Sequence, residues 1–239
     1  MKKQGAFVLI AVVICIAVGV GIFQVLPKFI QDGGPIVSIL ISLNLMIWVF
    51  VIERILTLGK AKGSRAMPIF FSEFLKSVRE KNYQQAMDLC DKQKGSAASV
   101  LRAGMEQWMR VMKDNSIAGE KKLTETQRAM DEARLLEIPF LERNLIGMST
   151  IASTSTMFGL LGTVIGMIRS FRAMAKAGSP DAAMLALGIS EALINTALGI
   201  FGGIIGIFTY NIFTTKVDGF NYSIDEAVYM TLELLKDEI

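Results

Sequence analysis

The chain has 239 residues, of which 52% are hydrophobic and 20% are charged, and its formal net charge is +3. This composition is too apolar for an ordinary soluble domain, and the charge is too small and too scattered to indicate a nucleic-acid partner. The chain has no histidine, which excludes Ser-His-Asp catalysis, histidine-ligated zinc and histidine proton relays. Cys15 and Cys90 lie far apart, so the sequence predicts no disulfide, metal or other cofactor, and any proton chemistry must use carboxylates.

The first apolar run covers residues 6–26, follows two lysines and contains no charged residue. About 20 residues at 1.5 Å each match the roughly 30 Å hydrocarbon core of a bilayer. A cleaved signal peptide would also begin with lysines and an apolar run. This run is longer than a usual signal-peptide core, and no clear Ala-x-Ala site follows it. We therefore expect residues 1–34 to be a retained membrane anchor with a short periplasmic link.

The second apolar run, residues 35–58, begins after a turn signal at residues 32–35. Lys60, Lys62 and Arg65 follow it closely. Cations of this kind mark a cytoplasmic end, and the basic N-terminus also prefers the cytoplasm. The sequence thus predicts a second transmembrane helix that returns to the cytoplasm.

The central part of the chain, residues 59–143, is rich in charge and carries apolar residues such as Phe70 and Phe74 at helical spacing. Two more apolar runs follow in residues 144–213, joined by a link at residues 178–180, and residues 214–239 end the chain. We predict an all-α, polytopic helical membrane protein with long spans. A helical cytoplasmic domain lies between spans two and three, a transmembrane hairpin follows, and the chain ends in a cytoplasmic helix.

Three cations do not fit this topology. Arg169, Arg172 and Lys176 fall at the predicted outer end of span three, where the positive-inside bias disfavours them. We expect these residues to cap the helix or to contact a partner.

Spans three and four carry glycines at small-x-x-x-small spacing, which lets helix backbones approach closely. We interpret them as helix-packing residues, namely Gly159, Gly162, Gly166, Gly199 and Gly203, with Gly202 and Gly206 nearby.

Glu191 is the one acidic residue well inside these apolar runs. An ionisable residue at mid-span costs roughly 2.5–3.5 kcal/mol on insertion scales, so it usually has a function. One interpretation is a proton-accepting site, because burial disfavours the charged form. The alternative is a structural pair with a basic residue of a neighbouring helix or subunit.

The polar residues near Glu191 leave two interpretations open. Thr163, Asn195 and Thr196 either line a wet path with Glu191 or, for the threonines, bond back to carbonyls one turn earlier. At about 100° per residue, Asn195 shares a face with Glu191 while Thr196 lies about 140° away. Spacing alone does not predict one uniform polar stripe.

Two segments together resemble the signature of the ExbB/TolQ proton-channel subunits of the MotA/TolQ/ExbB family, and ExbB most of all. They are Gly-Leu-Leu-Gly-Thr-Val-Ile-Gly at residues 159–166 and Gly-Ile-Ser-Glu-Ala-Leu-Ile-Asn-Thr-Ala-Leu-Gly at residues 188–199. The likeness is strong over residues 145–220 and weaker at residues 52–54 and 86–90.

The resemblance implies a homopentamer in the bacterial inner membrane, surrounding single-span ExbD-like or TolR-like partner helices. In the family, a membrane aspartate of the partner carries the proton, and the proton-motive force drives a TonB-like or TolA-like protein. It therefore implies a proton-channel subunit for TonB-dependent outer-membrane transport, and no enzyme. A TolQ-like role in envelope maintenance and a motility stator of the MotA type are the alternatives.

Carried over by residue, the resemblance implies that Thr163 and Thr196 are the pore-lining threonines that face the partner aspartate. Glu191 matches the family's buried glutamate, and we include Asn195 in the same proton pathway. The chain departs from the usual ExbB and TolQ pattern in its additional N-terminal run and in having no proline between Asp181 and Phe213. Its four spans resemble MotA, whose sequences lack this glutamate and threonine arrangement.

Three other classes of protein are less consistent with the sequence. A substrate transporter is disfavoured because the second half does not repeat the first. A membrane enzyme using Ser190 would need an activating base and a Gly-x-Ser-x-Gly turn, and the chain has neither a histidine nor that motif. A non-conducting scaffold remains, and it would tolerate loss of the Glu191 carboxylate.

Overall fold

The computed structural model describes residues 2–114, 116–176 and 182–238. Within them the secondary structure is helical and contains no strand, which confirms the all-α class. The predicted link at residues 178–180 lies outside the described residues. The helices are α1 Lys2–Val25, α2 Lys28–Gln31, α3 Pro35–Lys62, α4 Met67–Arg79, α5 Tyr83–Gln93, α6 Ser96–Met112, α7 Gly119–Glu142, α8 Leu145–Lys176 and α9 Ala182–Lys236.

In the part of the chain that the structure describes, three helical stretches are long and apolar enough to cross a membrane, namely Pro35–Arg79, Gly119–Arg172 and Leu185–Lys236. They contain the predicted spans two, three and four. A shorter apolar helical stretch, Leu9–Val25, lies in α1. A retained first span at residues 6–26 therefore stays a prediction.

The last helix is longer than the sequence predicted. We placed a boundary between the hairpin and a C-terminal helix at residues 213–214, but α9 is continuous over 55 residues, from Ala182 to Lys236. No proline interrupts this stretch, so each backbone N–H keeps its carbonyl partner four residues earlier. Helix α9 thus continues past the end of the apolar run, and the change from apolar to polar composition does not end it.

The chain divides into two compact units. The first unit comprises residues 1–53 and 144–212, and the second comprises residues 54–143 and 213–239. Both α3 and α9 contribute residues to each unit.

In the first unit, α8 and α9 touch through their glycines. A Cβ on Gly199 would lie 2.6 Å from the Cα of Gly159 and 2.8 Å from the carbonyl oxygen of Ser155. A Cβ on Gly206 would lie 2.6 Å from the Cβ of Ala152. These separations are below any normal carbon contact, so the two backbones approach as closely as they do because side chains are missing there.

The second unit has the core of a helical domain. Helix α4 packs on α5, α5 on α6 and α6 on α7. The largest core side chains include Phe70, Phe74, Leu101, Met105 and Trp108, and the last turns of α9 add Ala227 and Leu235. Cys90 also lies in this core, and burial raises the pKa of its thiol to about 12, in line with an inert packing role.

Candidate proton pathway

The two threonines of the family motif meet across the hairpin. The hydroxyls of Thr163 on α8 and Thr196 on α9 are in direct hydrogen-bonding contact, and both side chains are half-buried. Each hydroxyl also bonds its own helix: Thr163 Oγ1 donates to the Gly159 carbonyl at 3.3 Å and Thr196 Oγ1 to the Ala192 carbonyl at 3.1 Å.

Both interpretations of the threonines are therefore compatible with the geometry. Two hydroxyl hydrogens share at least three acceptors, namely the two backbone carbonyls and the neighbouring hydroxyl. A hydrogen that turns toward one acceptor leaves another acceptor open. The Thr163–Thr196 pair can rearrange its hydrogen bonds without moving a heavy atom.

Glu191 forms an ion pair within the same chain. Arg169 Nη1 on α8 donates to Glu191 Oε1 at 2.6 Å. The Glu191 side chain is only 11% exposed, whereas that of Arg169 is 53% exposed. This is the structural pair that the sequence left open as an alternative, and one of the three misplaced cations provides it.

The position of Glu191 along the membrane follows from its neighbours. It lies about 14 Å from the first residue of α9, at 1.5 Å per residue. A Cβ on Gly34, just before α3, would be 2.9 Å from Glu191 Oε1 and 3.4 Å from Arg169 Nη1. Glu191 of α9 therefore lies beside the turn that precedes α3, which is near the end of span two and not at its middle.

Asn195 lies one helical turn beyond Glu191 and is fully buried. Its Nδ2 donates to the carbonyl of Gly33 at 2.9 Å, whereas its Oδ1 has no hydrogen-bond partner among the described residues. A Cβ on Gly162 would lie 2.7 Å from the Cγ of Asn195, so the amide fits only against a glycine. A buried acceptor of this kind costs roughly 1–3 kcal/mol unless a proton donor or water reaches it.

The four predicted pathway residues form two clusters. Glu191 and Asn195 contact the turn before α3, while Thr163 and Thr196 contact each other. This agrees with the expectation that helical spacing does not produce a single stripe. The sequence missed the roles of Arg169, Gly33 and Gly34, although the misplaced cation and the turn signal were both visible.

Two further polar side chains, Ser155 of α8 and Asn44 of α3, lie against α9 at Gly202. Ser155 is fully buried, and its Oγ has no partner in the part of the chain that the structure describes. Asn44 of α3 lies nearby and donates its Nδ2 to the Leu40 carbonyl at 2.8 Å. Both side chains face Gly202, where a Cβ would be 3.0 Å from Asn44 Oδ1. No sequence motif indicated this arrangement, because single serines and asparagines in apolar runs are common.

Comparison with known proteins assigns the family. Residues 92–226 match the model of the MotA/TolQ/ExbB proton channel family, which includes both clusters on α8 and α9 except for the turn before α3. The chain is 32% identical over 178 residues to the Tol-Pal system protein TolQ of Pseudomonas aeruginosa, covering 74% of this chain and 76% of that protein. It is 33% identical over 186 residues to TolQ of Haemophilus influenzae, covering 77% and 79%.

A shorter match is found to an ExbB protein. The chain is 36% identical over 92 residues to the biopolymer transport protein ExbB of Pseudomonas putida, covering 38% of this chain and 28% of that protein. The family consists of membrane proton-channel subunits and is not a class of enzymes. With the model match over more than half of the chain and TolQ relatives over three quarters of it, the chain belongs to the MotA/TolQ/ExbB proton channel family.

Proposed function

We propose that this protein is a proton-channel subunit of the bacterial inner membrane that uses the proton-motive force to energise TonB-dependent outer-membrane transport. Its partner in this proposal is an ExbD/TolR-like single-span protein with a membrane aspartate, and the driven component is a TonB-like or TolA-like protein. The observation that carries the proposal is the Thr163–Thr196 hydroxyl pair within the family motif.

The hydroxyl pair suits a carboxylate that changes its protonation state. A hydroxyl can donate to an ionised aspartate and accept from a neutral one, so neither state is left unpaired. The pair retains this freedom because its hydrogens have more acceptors than they can fill. Neighbouring residues on α8 and α9, such as Leu160, Val164 and Leu193, are apolar, and a hydrogen bond in apolar surroundings is stronger than in water.

Glu191 and Asn195 belong to the same proposed pathway, toward the end of the hairpin that lies beside the turn before α3. Asn195 Oδ1 is an unfilled buried acceptor, and the Glu191 carboxylate is one turn away on the same face. A proton or a water molecule that moves toward the threonine pair can first bind at these two acceptors.

The proposal includes a homo-oligomer, for which we propose a pentamer. A single chain exposes large apolar side chains on both hairpin helices, such as Leu160 and Val164 on α8 and Leu193 and Ile200 on α9. Lipid, neighbouring subunits and the partner helix would share these faces. Native mass spectrometry in mild detergent tests this, and a strictly monomeric species with and without the partner would contradict it.

A second candidate function is a TolQ-like role in envelope maintenance. The observation that favours it is the similarity to two TolQ proteins over about three quarters of this chain, against 38% for the ExbB of Pseudomonas putida. A motility stator and a non-conducting scaffold are the remaining alternatives.

Reconstitution tests the shared part of the proposal. The protein is placed in liposomes with the single-span partner from the same genome, and proton flux is measured under an imposed membrane potential. We expect flux that requires the partner and disappears when the partner's membrane aspartate is changed to asparagine. Equal flux with the asparagine variant would contradict proton transfer through this carboxylate.

Gene deletion separates the two candidate functions. Loss of energy-dependent uptake across the outer membrane, with an intact envelope barrier, would support the TonB-type role. Sensitivity to detergents and leakage of periplasmic proteins would support the Tol-type role instead. A strain with neither phenotype but with impaired swimming would favour the stator.

A further inference from the structure

The first unit contains a compact cluster that links three of its elements. It consists of Arg169 on α8, Glu191 and Asn195 on α9, and the backbone of Gly33 and Gly34 in the turn before α3. We call these five residues the turn cluster. Its two side chains on α9 lie four residues apart, so both face the same turn.

We infer that Arg169 holds Glu191 as a carboxylate and that this ion pair, together with Asn195, attaches the turn at Gly33 and Gly34 to the helix hairpin. A proton that reaches Glu191 removes the negative charge with which Arg169 pairs, so that protonation weakens the ion pair and loosens the turn. Arg169 is a positioning residue in this scheme. The inference deepens the proposed function, on which it rests only for its consequence for proton flow.

The charge balance of the cluster is the first argument. Glu191 is almost fully covered, and a buried carboxylate is stable only when it is paired and hydrogen-bonded. Arg169 supplies the charge at 2.6 Å, while its own half-exposed side chain keeps part of its hydration. Removing the guanidinium would leave a buried charge that is most cheaply neutralised by a proton.

The other charged residues near the cluster do not replace Arg169. On α8, Arg172 is exposed and forms no ion pair with Glu191 within the described part of the chain. In the turn, Asp32 is exposed and likewise does not pair with Arg169. Asn195, which shares this face of α9 with Glu191, is neutral.

The backbone of the turn is the second argument. Gly34 has a φ of +73°, a conformation that glycine adopts without strain. Its missing side chain leaves room for the ion pair, because a Cβ there would lie 2.9 Å from Glu191 Oε1. The preceding carbonyl, of Gly33, accepts the buried bond from Asn195. Two consecutive backbone positions are thereby fixed to α9 just before α3 begins.

Infrared difference spectroscopy of the purified full chain tests the charge state. At neutral pH, we expect Arg169→Gln to show the carbonyl band of a protonated carboxylic acid that wild type lacks. The double variant Arg169→Gln with Glu191→Gln should lose that band, which assigns it to Glu191. Arg172→Gln, an exposed arginine on the same helix, is the matched control and should match wild type.

Arg169→Lys keeps the positive charge and should also match wild type, so it keeps the test decisive if Arg169→Gln assembles poorly. A protonated band in wild type or in Arg169→Lys would overturn the inference. So would an Arg169→Gln spectrum that is identical to wild type.

Hydrogen exchange tests the attachment of the turn. We expect the amides of residues 33, 34, 36 and 37 to exchange about tenfold faster in Arg169→Gln and Glu191→Gln than in wild type or Arg172→Gln, which corresponds to about 1.4 kcal/mol. Equal exchange in all four proteins would overturn the attachment. Neither measurement needs the partner, so if wild type with the partner conducts no protons in liposomes while both results hold, the proposed function fails and the turn cluster stands.

Discussion

The two units differ in where they keep their ion pairs. In the first unit, the Arg169–Glu191 pair has one almost fully buried member at a close approach of helices. In the second unit, pairs such as Arg65–Glu73 and Arg102–Asp91 have both members substantially exposed to solvent. Surface pairs are screened by water and contribute about 0–1 kcal/mol, whereas breaking a buried pair costs several times more. The Arg169–Glu191 pair therefore contributes to the packing of α8 on α9, whereas the exposed pairs of the second unit contribute little to stability.

The second unit has one exception that sharpens this contrast. Arg54 is fully buried, and its Nη1 donates to the carbonyl of Leu141 at 2.9 Å. That carbonyl lies in the last turn of α7, where intrahelical donors are missing and the helix dipole favours a cation. Arg54 thus caps a helix end, whereas Glu191 pairs with the cation of Arg169.

Charge reversal should show the largest difference between the units. Glu191→Lys puts a second cation beside Arg169 in a buried site, and we expect the free energy of unfolding to fall by about 3–5 kcal/mol. The matched change Glu73→Lys also opposes an arginine, at a pair distance of 2.9 Å in wild type, but its side chain is 44% exposed. That change should cost no more than about 1 kcal/mol. Thermal unfolding in detergent measures both, and equal losses would refute the contrast.

Glycine-to-alanine substitutions should show the next largest difference in stability between the two units. In Gly199→Ala the new Cβ meets backbone 2.6 Å away, which cannot give way, and we expect a loss of about 1–3 kcal/mol in stability. Gly219 on the same helix lies in the second unit, where a Cβ would meet nothing within 4 Å. Gly219→Ala should therefore raise stability by about 0.5–1 kcal/mol through helix propensity. Thermal unfolding measures both variants. If both lose stability, the close contact between α8 and α9 does not explain the effect of Gly199→Ala.

Thr196→Val tests the hydroxyl pair at nearly constant shape. A missing partner for a buried polar group costs about 1–3 kcal/mol, comparable to the roughly 2.3 kcal/mol that a proton gains from 100 mV. We expect proton flux with the partner to fall about tenfold, since about 1.4 kcal/mol corresponds to that factor. Thr196→Ser should retain more flux, because it keeps the hydroxyl.

Thr209 provides the control for this experiment. Its hydroxyl bonds back to the Ile205 carbonyl at 2.7 Å, and it lies in the same unit of α9. Thr209→Val should leave the flux near that of wild type. If Thr196→Val conducts as well as Thr209→Val, the Thr196 hydroxyl serves only its own helix, and the pathway assignment is withdrawn.

The smallest effect concerns the pH dependence of the second unit. Desolvation by burial, followed by a hydrogen bond to Glu238, raises the pKa of Tyr83 to about 12 from its ordinary value of 10. A raised pKa for this acid means that its stabilising contribution is complete below about pH 10 and is lost as the pH rises toward 12. We expect Tyr83→Phe to unfold with less pH dependence in this range than wild type, as measured by circular dichroism. The exposed Tyr229→Phe is the control, and an identical effect in both would contradict this role of Tyr83.

The sequence indicated the candidate pathway residues, whose role stays a prediction, but not how they are arranged. The threonines and Glu191 stand out because the motif around them resembles a family and because a carboxylate in an apolar run is costly. The division of these residues into two clusters also follows from 100° per residue. At Gly33 and Gly34 the sequence predicted only a turn, because a turn signal indicates the local backbone conformation and not which residues the turn contacts. The continuous α9 was missed because a change from apolar to polar composition resembles a helix end.

By itself, the sequence determined the class of the protein, three of its apolar spans and its family. These properties depend on composition, local periodicity and contiguous motifs, which the chain carries along its length. Only the tertiary structure decided that Arg169 is the partner of Glu191 and that Asn195 holds the carbonyl of Gly33. Periodicity fixes which face of a helix a residue occupies, but not which helix lies opposite. That choice depends on where glycines let backbones meet, and it involves residues more than 150 positions apart, such as Gly33 and Asn195.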